Sequence, residues 1–251
     1  ALTQRQASRD NPTAHMETVA SNAQFQVHDD ALPPQAFSEL IRLLAGTPFR
    51  KVHQPGKGYV WRPEDGEPEG TSPCFHDGPE PWAAPVLQAV LGHREALRDL
   101  VGTQGRDWKA VSARAFRHGA GSGLSWHTDD KSYTGAYIFF AHPAWDCHWG
   151  GELLVADPSC HGKQWREPAL AASRWEGKTL PKTEADRARA QLRIRAENAL
   201  LGEVGVGTFI FPKPNRLVVI AGGHPHRVCP VTPGAGSHAR TTVSGFFLHR
   251  S

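Results

Sequence analysis

Two imidazoles and one carboxylate able to close on a single ion constrain this chain more than any other feature. His127-Thr128-Asp129 places a histidine and an aspartate two residues apart, and His226 follows far downstream in His224-Pro225-His226-Arg227-Val228. Successive side chains of an extended segment point to opposite faces, so His127 and Asp129 point the same way and Asp130 points away. The third ligand must arrive on another segment, and the intervening chain is long enough to fold back through several strands. The apolar run Leu217-Val218-Val219-Ile220 precedes His226 and Val228-Cys229-Pro230-Val231 follows it, which puts it at a bend between two strand candidates. On these grounds alone His224 remains a rival. Two His and one carboxylate leave open positions on Fe(II). Arg240 opens a further β-branched and aromatic run, Thr241-Thr242-Val243-Ser244-Gly245-Phe246-Phe247. Its planar fork suits a carboxylate better than a lysine would.

Short strand candidates separated by Gly, Pro and Asn turns fall at 110–116, 134–140, 152–156, 208–211, 217–220, 227–231 and 240–248. That pattern implies a mainly β fold with flanking α: a double-stranded β-helix, or jelly roll, which brings sequence-distant ligands to one mouth. N-terminal helices are expected to pack outside it. The first opens at Pro33-Pro34, buries Phe37, Leu40, Ile41 and Leu44 at helical spacing and stops at Gly46; the second runs from 82 to about 100. Residues 1–22 read as a flexible polar segment and 23–251 as one domain, with its core at 110–249. Two stretches interrupt it. Residues 52–82, rich in Gly, Pro and charge, read as a long loop, and 157–204 as a helical insertion with Thr183 as a helix cap.

At 251 residues with 39% hydrophobic content, the chain can bury one sizeable core. A net charge of +3 without basic clusters gives no reason to expect a nucleic-acid partner. The four cysteines, at 74, 147, 160 and 229, make no CxxC pair and no disulfide scaffold. A reducing, cytoplasmic setting is the expectation. Neither a signal pattern at the start nor an apolar run near the roughly 18 residues of a span appears, so no membrane partner is expected.

Set in order, these pieces carry a family likeness. Arg117-His118-Gly119-Ala120-Gly121-Ser122-Gly123 leads into Trp126-His127-Thr128-Asp129, followed by Tyr137-Ile138-Phe139-Phe140 and Trp149-Gly150-Gly151-Glu152-Leu153. Phe209-Ile210-Phe211-Pro212, His226-Arg227-Val228-Cys229-Pro230-Val231 and Arg240 before Gly245-Phe246-Phe247 complete the set. An isolated His-x-Asp recurs by chance; the ordered series over roughly half the chain resembles the Fe(II)/2-oxoglutarate-dependent oxygenases, in their prolyl-4-hydroxylase-like branch. The resemblance implies that His127, Asp129 and His226 hold Fe(II), with His224 nearby but not a ligand. It also implies that Arg240 pairs with the distal carboxylate of 2-oxoglutarate, and that O2, with ascorbate as accessory reductant, completes the chemistry. Many relatives carry a Tyr where this chain has Arg117, so the second co-substrate contact passes to Tyr137 or Thr242. Arg117, Trp126 and Arg227 are taken as pocket-wall or substrate contacts.

The implied activity is hydroxylation of an unactivated C–H bond coupled to decarboxylation of 2-oxoglutarate to succinate. By analogy of scale, the substrate is a small molecule, a free amino acid or natural-product intermediate. A peptidyl or protein-bound prolyl group is the main rival, and a metal-binding jelly roll without oxygenase activity the reading from another class. Related halogenases replace the metal carboxylate with a small residue; Asp129 argues against that reaction. Related nucleic-acid demethylases carry a second Arg six residues after the first, where this chain has Phe246.

Overall fold

The computed structural model describes residues 16–51, 74–77, 81–160, 199 and 201–249. In chain order, strands β1 (Glu17–Ser21) and β2 (Phe25–Asp29) precede helix α1 (Pro34–Ala45), strands β3 (Arg50–Lys51) and β4 (Cys74–Asp77), and helices α2 (Ala83–Gly92) and α3 (Arg98–Val101). Strand β5 (Trp108–Val111) follows. Eight more strands form the centre: β6 (Arg114–His118), β7 (Leu124–His127), β8 (Tyr133–Phe140), β9 (Leu153–Ala156), β10 (Gly207–Ile210), β11 (Leu217–Ala221), β12 (His226–Val228) and β13 (Arg240–His249).

Those eight divide between two facing antiparallel sheets. One carries β11-β8-β13-β6 and is extended by β2 and β1 on one side and β4 and β3 on the other, with β5 also pairing with β13; the second is β10-β9-β12-β7. Consecutive strands mostly alternate between the sheets, which is the jelly-roll course expected from the sequence. Alternation along each strand then makes two cores. From β8, Ile138 and Phe140 point between the sheets and meet Leu153, Val155, Ile210, Val218, Ile220 and Val228. Tyr137 and Phe139 point the opposite way, with Val243 and Phe247, onto Leu40 and Leu44 of α1 and Val86 and Val90 of α2. The helices thus cover the outer face of the larger sheet, and the space between the sheets is left for a site.

Several expectations need correction. The 82–100 helix is two, because Gly92 is a poor helix former and the ring of His93 contacts the Ala89 carbonyl at 3.0 Å, closing the turn there. The 110–116 strand is also two. β5 pairs with the end of β13 and β6 with its beginning, and Ser112 crosses between them, its hydroxyl accepting the Phe246 N–H at 2.9 Å. A Cβ at residue 245 would collide with the Ser112 carbonyl, so Gly245 permits that crossing. Within the polar 1–22 segment, residues 17–21 form β1, exposed along its whole length and held by its ladder to β2. Within 52–82, residues 74–77 form β4, paired with β6. The rest of that loop, and the insertion helix begun at Thr183, lie outside the described residues apart from their margins. Among the described residues no helix is long and apolar enough to cross a membrane.

Candidate metal and co-substrate site

His127 is the last residue of β7 and His226 the first of β12, and the ladder between these strands sets them directly opposite each other. Their rings lie 4.3 Å apart between centroids. Asp129, just past the end of β7, reaches both: one carboxylate oxygen is 3.8 Å from His127 Nε2 and the other 3.7 Å from His226 Nε2. Two atoms each about 2.1 Å from a shared ion can stand at most about 4.2 Å apart. Both histidine–aspartate pairs fall inside that limit, and the three donor atoms lie within 4.8 Å of one another, close enough to gather round one divalent ion. The donor set, two neutral nitrogens and one carboxylate oxygen, is the one that suits Fe(II) with open positions.

Which nitrogen of His226 faces the ion is fixed from behind. Its Nδ1–H donates to the His224 carbonyl at 2.9 Å, leaving the Nε2 lone pair for metal. The His224 ring lies outside the trio, and its backbone carbonyl stands behind His226. The His224 ring contacts the Gln24 amide at 3.2 Å, and Gln24 in turn donates to the Ala156 carbonyl at 2.7 Å. Gln24 had no sequence signal, because its role depends on a contact across most of the chain. Asp130 is exposed and caps a turn by accepting the Ser132 N–H.

Arg240, the first residue of β13, is 1% exposed. Its guanidinium lies 4.9 Å above the Phe140 ring, and its Nε and one Nη have no hydrogen-bond partner among the described residues. Burial pushes its pKa down to about 9, with the Cys229 and Glu152 charges acting against that shift. A buried cation with unused donors costs several kcal/mol unless a counter-ion arrives. A carboxylate meets that need in both charge and geometry. On the same face of β13 stands Thr242, and in register with Arg240 on β6 stands His118. All three border one cavity of about 370 Å³ together with His127, Asp129 and His226. Its remaining walls are largely apolar, including Leu124, Ile138, Leu153, Val228 and Phe246.

Thr242 is thus brought to the site; the other contacts expected from sequence are not. Tyr137 borders the cavity, but its ring packs in the helix-side core, 6.4 Å from Phe247, and its hydroxyl donates to the Ser112 carbonyl at 2.9 Å. Arg117 faces out of the barrel, over the Phe49 ring at 4.4 Å and donating to the Leu44 carbonyl at 3.3 Å. Trp126 and Arg227 do not line the cavity; Arg227 alternates outward between the inward His226 and Val228. The inward residues of β6 are Arg114, Phe116 and His118. Alternation counted from Ala115, which packs into the helix-side core, is the signal that identifies them.

The profile of the 2OG-Fe(II) oxygenase superfamily matches residues 113–248, which spans all eight barrel strands. The chain belongs to that superfamily. It is a dioxygenase that uses Fe(II), 2-oxoglutarate and O2, which sets aside a jelly roll that binds metal without oxygenase activity. Three solved structures share the fold. A Pseudomonas putida prolyl-4-hydroxylase is 14% identical with a TM-score of 0.55, over 91% of this chain and 94% of that one. A Trichoplax adhaerens prolyl hydroxylase, in complex with a hypoxia inducible factor oxygen degradation domain peptide fragment, is 13% identical with a TM-score of 0.53, over 90% and 84%. A Burkholderia pseudomallei oxidoreductase of the 2OG-Fe(II) oxygenase family is 14% identical with a TM-score of 0.51, over 90% and 85%. Comparison with curated proteins gave no sequence match.

Proposed function

We propose that this oxygenase hydroxylates an unactivated C–H bond of a small molecule, a free amino acid or natural-product intermediate, with His127, Asp129 and His226 as its iron ligands and Arg240 as the anchor of 2-oxoglutarate. The observation that carries this reading is one apolar cavity of about 370 Å³ with the three ligands on one wall and a buried, under-bonded guanidinium on another. That volume accommodates the co-substrate and a substrate fragment of amino-acid size, within the range of small-molecule sites. Bound iron, with 2-oxoglutarate and O2, supplies the oxidising chemistry: R–H, 2-oxoglutarate and O2 become R–OH, succinate and CO2.

The chain's own part is to hold and to exclude. Arg240 and Thr242 orient the co-substrate from the β13 side, and the His226 to His224 hydrogen bond keeps the metal face of the imidazole aligned. Phe116, Ile138, Leu153 and Phe246 keep water from the reacting carbon and fix its distance, which is where a static site gains most of its rate.

A second reading, a peptidyl substrate, is favoured by the likeness to two prolyl hydroxylases, one of them seen with a peptide. One experiment separates the two. With Fe(II) and 2-oxoglutarate supplied, succinate release and gain of one oxygen are followed by mass spectrometry across amino acids, small acids and prolyl peptides. Turnover confined to free small molecules supports the first reading, and turnover confined to peptides replaces it with the second. An absence of coupled turnover across all three classes counts against both.

A further inference from the structure

Arg240 cannot satisfy a carboxylate alone. An ionised carboxylate offers about four acceptor sites, and a guanidinium approaching by its fork fills two. Beside a guanidinium as buried as that of Arg240, the remaining acceptors require further donors or are left unsatisfied. Thr242 provides one hydroxyl. His118 is 2% exposed, lines the same cavity, and occupies the β6 position directly opposite Arg240 in the ladder.

We propose that His118 is the second anchor of the 2-oxoglutarate distal carboxylate, donating a ring N–H to an oxygen that Arg240 does not reach. This rests on the assignment of Arg240 to that carboxylate. Burial and the neighbouring Arg240 charge hold the His118 pKa down to about 3, so the ring is neutral and carries a single N–H. The ring also lies against the Arg240 backbone carbonyl. With ligand bound, the N–H belongs on the nitrogen facing the carboxylate, because a bond to a charged acceptor is stronger than one to a neutral carbonyl. A neutral imidazole suits the place physically, since it adds a donor without adding a second buried cation beside Arg240.

The test uses the full chain loaded with Mn(II) under anaerobic conditions and titration calorimetry with two ligands: 2-oxoglutarate, and 2-oxopentanoate, which has the same carbon chain without the distal carboxylate. His118→Leu is expected to raise the 2-oxoglutarate Kd roughly 2- to 30-fold, the difference between the charge-assisted bond and the carbonyl bond it replaces, and to leave 2-oxopentanoate binding within about twofold. His118→Gln, which retains an N–H donor, is expected to restore most of the 2-oxoglutarate affinity. Equal weakening of both ligands in His118→Leu would show a merely structural role, and unchanged 2-oxoglutarate binding would remove the anchor altogether. If the Arg240→Leu protein also binds 2-oxoglutarate as tightly as the wild type, the failure lies in the Arg240 assignment itself.

Discussion

His226 faces His127 across a single rung of the β7–β12 ladder, and the carboxylate of Asp129 stands 3.7–3.8 Å from both rings' Nε2 atoms. The metal-binding geometry is thus a property of strand register. A slip of one residue would turn one histidine out of the cavity.

The ligands act as one unit, so removal of any of them is expected to cost nearly all function. Asp129→Ala and His127→Ala should lose tight Mn(II) binding in calorimetry and coupled succinate release, and neither should change the thermal midpoint of the metal-free protein by more than a few degrees. Retained metal affinity in either variant would refute the ligand assignment.

Much of this was legible in the sequence, for identifiable reasons. Alternation along one strand pairs His127 with Asp129, the apolar runs narrow the third position to His224 or His226, the family resemblance selects His226, and the β-branched run after Arg240 marks β13. What failed was the facing of residues whose neighbours in sequence are equally polar. Arg117 and His118 are adjacent, and only the packing of Ala115 against the helices decides that His118 enters the cavity. Tyr137 lies on the expected strand, with its ring in the helix-side core. β1 is a short edge strand and β4 a short strand between β6 and β3, both held by backbone ladders, so little in their sequence marks them. Gln24 supports the metal site through His224, 200 residues away in sequence, a relationship that no local signal records.

Arg240 is seated by a glycine. Gly151 has φ +73°, and a Cβ there would come within 2.8 Å of Arg240 Cδ and 3.3 Å of the Trp145 ring. Gly151→Ala is therefore expected to push the guanidinium out of line and raise the 2-oxoglutarate KM tenfold or more, roughly, without altering Mn(II) affinity. Arg240→Leu should raise it by about 100-fold, because the charge-assisted bonds are lost outright. Steady-state succinate assays over a range of 2-oxoglutarate concentrations check both. An unchanged requirement in Arg240→Leu would assign the carboxylate to another residue.

Asp29 ties β2 to the turn before β11. It accepts from Arg216 Nε at 2.7 Å and Nη2 at 3.1 Å, and from Lys213 Nζ at 2.7 Å. The Asp29 side chain is 7% exposed, Arg216 16% and Lys213 45%, so the two cations are not equivalent. Burial raises the Asp29 pKa, but the hydrogen bonds from Arg216 and Lys213 outweigh it and hold the carboxylate below its usual range. Asp29→Asn leaves Arg216 buried without its counter-charge and is expected to cost about 3 kcal/mol, whereas Lys213→Ala should cost less than about 1. Urea unfolding of both variants at neutral pH gives the comparison, and equal costs would contradict the burial argument.

Acid stability follows from three histidines buried in neutral form. Burial pushes the pKa of His118 down to about 3 and those of His28 and His142 to about 4, from 6.5. His142 is wedged between the carbonyls of Pro212, at 2.8 Å, and Thr241, at 3.2 Å. Because each folded pKa lies below the unfolded one, the unfolded chain binds more protons over the interval between them. The stability these rings allow is therefore fully present above pH 6.5 and is lost as pH falls toward 4. Three such groups give a slope of up to about 4.1 kcal/mol per pH unit. Urea unfolding of metal-free protein at steps from pH 7.0 to 5.0 should show that decline. His142→Gln, which cannot titrate, should show about two-thirds of the slope even though its stability at pH 7 is lower. A flat profile in the wild type across this range would mean that these rings are not held neutral in the folded chain.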